Sequence, residues 1–99
     1  MPPEREFQSR LIKDLKRRFP GAVVLPMDGG YIQGFPDVLI LYRDKWAALE
    51  CKRTASARRR PNQEHYVAKL DGMSFARFIF PENREEVLNE LEHAFGSDR

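Results

Sequence analysis

Three residues at the ends of two neighbouring apolar runs could do chemistry together: Asp37, Glu50 and Lys52. Asp37 opens the run Val38 to Tyr42, while Glu50 and Lys52 close the run Trp46 to Lys52. The polar break Arg43-Asp44-Lys45 between them predicts a hairpin. A turn centred between Arg43 and Asp44 sets Asp37 directly opposite Glu50, with Cβ atoms roughly 4.5–5.5 Å apart. Strand side chains alternate faces, so Lys52 projects with Glu50 and Cys51 points the other way. Two carboxylates that close repel unless a cation lies between them, and an all-oxygen pair suits Mg²⁺ or Mn²⁺. The plainer alternative is that Asp37 ends a strand while Glu50 and Lys52 make a surface ion pair. The register, the preceding Gly34-Phe35-Pro36 and the basic stretch that follows favour the metal site.

That basic stretch comprises Lys52, Arg53, Arg58, Arg59 and Arg60, with no acid among them. A charge run is ordinarily a solvated loop, but one placed beside a carboxylate pair suits the approach of a polyanion. Tyr31 and Tyr66 could stack on bases or serve as rim aromatics. Cys51 reads as a buried core thiol, since neither His65 nor His93 stands in a context that would make it a nucleophile. The glycine-rich loop, residues 28–34, lacks the spacing of a phosphate-cradling P-loop and opens no helix. It reads as a close-approach loop beside the carboxylates, with a contact to nucleic-acid backbone as a further expectation.

The elements that must position these groups follow from periodicity. Residues 3–19 predict a helix: Phe7, Leu11, Ile12, Leu15 and Phe19 form its apolar stripe, and Pro20-Gly21 ends it. Glu4 lies at the edge of that stripe and Glu6 does not, so Glu4 is the acid expected to look inward. Residues 22–27 predict the first strand, and the hairpin 36–43 and 45–52 supplies two more. The hairpin strands are nearly continuous in apolar residues, which predicts a sheet covered on both faces. Pro61-Asn62 starts a helix expected to run to Leu70 and to stop at Asp71-Gly72. Residues 75–80 predict a fourth strand, and Pro81-Glu82-Asn83 turns into a last helix reaching Phe95. The termini, 1–3 and 96–99, are expected to fray.

The order is therefore α-β-β-β-α-β-α in 99 residues, one domain of the α/β (α+β) class. Hydrophobic residues make up 41% and charged residues 32%, an ordinary globular balance. No run approaches the ~20 apolar residues of a membrane span, and the N-terminus lacks the core of a signal peptide. One cysteine, Cys51, allows no internal disulfide, which suits a reducing cytoplasm. There is no CxxC zinc pattern, Walker loop or GxGxxG fingerprint.

Pro36-Asp37 with Glu50-Cys51-Lys52, set on a hairpin behind an acidic helix and ahead of a helix and strand, resembles the PD-(D/E)xK nuclease superfamily. Gly34-Phe35-Pro36-Asp37, Glu4-x-x-Phe7-Gln8 and Gln63 are similar to the small stand-alone VRR-Nuc enzymes, and the layout is similar to phage junction-resolving endonucleases. Cys51 departs from the Val or Ile usual at that position but is likewise small and apolar. The resemblance spans Glu4 to Phe80. It implies a restriction-endonuclease-like αβββαβ core with a mixed four-stranded sheet, flanking helices and an extra C-terminal helix. It further implies that Asp37, Glu50, the Cys51 backbone carbonyl and Glu4 bind Mg²⁺ or Mn²⁺, and that Lys52 orients or deprotonates the attacking water. Gln63 would face the site from the start of its helix, although by chain position alone it is equally an exposed helix residue. Arg53, Arg58, Arg59, Arg60 and Tyr31 would contact DNA. Branched DNA such as a Holliday junction is the implied substrate, a homodimer the implied form, and a phage or prophage the implied source. The competing expectations are a non-catalytic binding module, or a subunit active only within a larger complex.

Overall fold

The computed structural model describes residues 4–27 and 30–96. Expectations for the frayed termini at 1–3 and 97–99, for Pro3 in the first helical turn and for Asp28-Gly29 lie outside the described residues. The first helix, α1 (Glu4–Arg18), buries Phe7, Leu11 and Leu15 at the spacing of one helical face. Glu4 and Glu6 in its first turn and Lys16, Arg17 and Arg18 in its last complement the helix dipole. Three antiparallel strands follow: β1 (Val23–Pro26), β2 (Val38–Tyr42) and β3 (Lys45–Cys51). Next come α2 (Pro61–Met73), β4 (Ala76–Ile79), a 3₁₀ turn at Pro81–Asn83 and α3 (Arg84–Phe95).

The strands form one mixed sheet in the order β1-β2-β3-β4, with β4 parallel to β3. A parallel neighbour cannot be reached by a tight turn, so α2 serves as the crossover. The molecule is α+β, with a four-stranded sheet and three α-helices among the described residues. None of those helices is long and apolar enough to cross a membrane.

The two faces of the sheet are unequally covered. On one, Val38, Ile40, Ala47, Leu49, Cys51 and Ile79 pack with the apolar stripes of α1 and α3 into the main core. On the other, α2 brings Val67 and Leu70 against Ala48 and Ala76, with Phe35, Leu39, Trp46 and Phe78 partly buried around them. This second layer stops short of the β1 side, where Val23, Leu25 and Leu41 remain 49%, 39% and 39% exposed. The hairpin was expected to be covered on both faces. Its β2 strand is covered only in part, Leu39 packing beneath the second layer and Leu41 staying exposed, because α2 lies mainly over β3 and β4.

Boundaries also move: α1 ends at Arg18, each of the first three strands is shorter by one to three residues than expected, and α2 and β4 shift as well. The second helix runs through Asp71-Gly72 to Met73 instead of ending at Leu70. Among the described residues the left-handed glycines are Gly21, Gly34 and Gly96, so Gly72 continues the helix. The stop comes at Ser74, whose N–H donates to the Leu70 carbonyl at 2.9 Å and whose hydroxyl donates to the Trp46 carbonyl at 2.5 Å. The Asp71 carboxylate serves the following strand, accepting from the Ala76 N–H at 3.1 Å and pairing with Arg77. The fourth strand is accordingly Ala76–Ile79, shorter by one residue at each end than expected.

Candidate active site

The site begins with the hairpin register. The pairs Val38↔Leu49 through Tyr42↔Lys45 leave Arg43-Asp44 as a two-residue turn, with Arg43 in the left-handed region (φ 59°). One step beyond Val38↔Leu49, Asp37 faces Glu50 at the mouth of the sheet. Asp37 Oδ2 accepts the Cys51 N–H at 3.0 Å, which ties the end of β3 to the residue before β2. The Lys52 N–H donates to the Ile79 carbonyl on the β4 side. Strand alternation therefore turns the Cys51 carbonyl toward β2, as it does its N–H. The Cys51 side chain goes into the main core, where burial, with Asp37, Glu50 and Glu4 adding to it, raises the thiol far above its ordinary pKa. It is a packing residue.

Glu50 and Lys52 are both buried, at 2% and 8% exposure, at positions where charge is costly unless partnered. Gln63, on the first turn of α2, is the side chain that reconciles them. Its Nε2 donates to Glu50 Oε2 at 2.8 Å, and its Oε1 accepts from Lys52 Nζ at 2.8 Å and from the Arg60 N–H at 3.0 Å. The direct Lys52 Nζ to Glu50 Oε2 separation is longer, 4.0 Å. Glu50 Oε1 is buried with no hydrogen-bond partner. Burial, followed by the facing Asp37 charge, pushes the Glu50 carboxyl up to about 8 against the pull of Lys52. Asp37 is raised as well, chiefly by burial, with Glu4 adding to the push while Cys51 N–H and Lys52 oppose it.

Glu4 is half-buried in the first turn of α1, near enough for its charge to act on both carboxylates. Among the described residues, however, no group of three or more His, Cys, Asp and Glu side chains is spaced to hold a metal ion. Glu4 therefore bears on the site through its field. What fits a divalent cation is narrower: two facing carboxylates, one with an unpartnered buried oxygen, in a setting that disfavours their charge.

The basic residues divide. Arg58 and Arg60 line a cavity of about 490 Å³ with Gln33, Gly34, Pro61, Asn62 and Gln63, immediately beside the carboxylates. Arg53 is exposed just past Lys52. Arg59 leaves the group: its guanidinium lies 4.1 Å over the Phe78 ring, and it lines a separate hollow with Glu64 and Asp71. Tyr31 is 96% exposed, whereas Tyr66 packs on Phe35 with ring centres 5.9 Å apart.

Gln33 and Asn62 escaped the reading of the sequence; both join the cavity wall by tertiary packing. A trace of the cause was present in Gly34. A Cβ there would lie 2.4 Å from Asn62 Cβ and 2.7 Å from its carbonyl carbon, and φ is +85°. The close approach made by this loop is thus to the start of α2.

No family model, curated protein or solved structure matches this chain.

Proposed function

We propose that this chain is a metal-dependent endonuclease that hydrolyses DNA phosphodiester bonds, with branched DNA such as a four-way junction as its substrate. The observation that carries the reading is the convergence of Asp37, Glu50, Lys52 and Gln63 at one end of the sheet, with Glu50 Oε1 left unpartnered. The mixed sheet and its element order are compatible with the PD-(D/E)xK core that the motif resembles. Asp37, Glu50 and the Cys51 carbonyl would hold Mg²⁺ or Mn²⁺, which when bound lowers the pKa of a water and screens phosphate charge. Lys52, held by Gln63, donates toward the phosphate oxygen on which charge develops or takes a proton from the attacking water. Gln63 fixes the direction of both neighbours. Arg58 and Arg60 neutralise backbone phosphates without reading sequence.

A homodimer belongs to this reading, because a junction presents two symmetric scissile phosphates. The uncovered apolar strip of Val23, Leu25 and Leu41 is available to a second copy. A non-catalytic strand-binding module is the second reading; it is favoured by the lack of a third ligating side chain among the described residues.

The deciding assay compares a labelled four-way junction, linear duplex and single strand with Mg²⁺, Mn²⁺ or EDTA, for wild type and Asp37→Ala. Metal-dependent nicking of the junction, lost in the variant, is expected. Equal cutting of all substrates removes the junction preference. Binding without cleavage, unchanged in Asp37→Ala, selects the binding module.

A further inference from the structure

We infer that the cavity beside Gln63 and the Tyr31 ring together seat an unpaired segment of nucleic-acid strand, a backbone phosphate in the cavity and an opened base on the ring. The inference rests on the phosphodiesterase reading and names the form of strand which that site takes. Among the described residues the cavity is lined by Gln33, Gly34, Arg58, Arg60, Pro61, Asn62 and Gln63, none of them acidic. Its volume of about 490 Å³ lies within the range of ligand-holding clefts, ~300–1,000 Å³. Six cations elsewhere find acids: Arg17, Arg18 and Arg84 pair with Asp14, Lys45 with Asp44, Lys52 with Glu50 and Arg77 with Asp71. Arg58 and Arg60 have no such pair among the described residues, and their charge borders the cavity they line. Gln33 and Asn62 add amides that donate and accept, the groups that meet phosphate oxygens and base edges alike.

Tyr31 supplies the second half. It stands two residues before Gln33, within about 7 Å of chain. Its ring is almost wholly exposed where every other tyrosine and phenylalanine is at least partly packed. A free ring of this kind gains contact by stacking on a base, and a base offers its face only where it has left the duplex stack. Gln63 closes the geometry: it forms part of the cavity wall and also bonds Glu50 and Lys52, so an occupant sits one side chain from the carboxylates. A strand led across this wall arrives at the carboxylates already unpaired, as it is at a branch or flap.

The test is binding in EDTA, which needs no cleavage. The probe is a short DNA strand carrying 2-aminopurine, compared with the same strand in a duplex and with the RNA of the same sequence. The single strand is expected to bind at least tenfold tighter than the duplex, with quenched fluorescence on binding. Tyr31→Ala is expected to weaken it roughly tenfold and abolish the quench, and Tyr31→Phe to restore both. Arg60→Gln is expected to reduce the salt-dependence slope by about 0.7, one phosphate contact on a single strand. Tight binding of either backbone supports the inference, and the DNA-to-RNA ratio says which the site takes. Duplex bound as tightly as single strand, or affinity and quench unchanged in Tyr31→Ala, overturns it even if junction cleavage proceeds. Strand binding as described, with no metal-dependent cleavage by wild type, overturns the nuclease reading instead.

Discussion

Glu50 sits where burial and the facing Asp37 both oppose its charge, and its carboxyl is raised to about 8 from an ordinary 4.5. The folded chain thus holds a proton that the unfolded chain releases. Stability is lost as pH rises from about 4.5 to about 8, by on the order of 2–4 kcal/mol. Glu50→Gln keeps the shape and removes the charge. In metal-free buffer it should melt near the wild type at pH 5 and roughly 10 °C above it at pH 8.5, in a thermal scan across that range. Mg²⁺ or Mn²⁺ should raise the melting temperature of the wild type at pH 8.5 and leave that of Glu50→Gln unmoved. Gln63 is the other decisive side chain, since three of its contacts orient Glu50, Lys52 and the start of α2. Gln63→Ala should lower turnover roughly 10–100-fold through misdirected neighbours. Single-turnover cleavage with saturating protein separates this from a loss of binding.

At the scale of elements, the loop leading into the hairpin and the start of α2 meet at one tight point. Gly34 is needed there twice over, for its φ of +85° and for the absence of a Cβ against Asn62. Gly34→Ala should cost roughly 2–4 kcal/mol and push the first turn of α2, with Gln63, away from Glu50. Denaturant melts would show the loss, and turnover should fall further than the unfolded fraction explains. The hairpin itself was legible in the chain, because a two-residue turn and period-two alternation leave one register for Asp37 and Glu50. The end of α2 was not. Asp71-Gly72 looks like a stop, yet Ser74 finds Leu70 and Trp46 as partners and Asp71 is drawn to Ala76 and Arg77. Trp46, Ala76 and Arg77 are strand residues that packing brings beside the end of α2, and the Asp71-Gly72 pair carries no signal for them.

Across the whole molecule, α1 and α3 are joined by a cluster that neither helix announces. Asp14, on the buried face of α1, pairs with Arg17 at 2.7 Å and with Arg84 of α3, while Arg18 reaches Glu85 and Glu92 at 3.0 and 3.2 Å. Burial alone would raise the Asp14 carboxyl, but Arg17, Arg84 and Arg18 outweigh it and hold it below the usual range. Its contribution is therefore present above the ordinary carboxylate pKa and lost as pH falls through the depressed value. Asp14→Asn should cost roughly 1–3 kcal/mol near neutral pH and progressively less as pH falls below the ordinary carboxylate range, read from urea midpoints across that range. With Glu50 eroding stability on the alkaline side, the metal-free protein should be most stable in mildly acidic buffer. The sequence by itself determined the order of elements, the hairpin register and the meeting of Asp37, Glu50 and Lys52, because strand alternation and helix periodicity are local rules. Tertiary structure alone decided that Gln63 turns inward, that Arg59 parts from Arg58 and Arg60, and that Glu50 is buried deeply enough to hold a proton. Those depend on which surfaces α2 and the 30–35 loop press together, and packing of that kind is set by shape across distant segments.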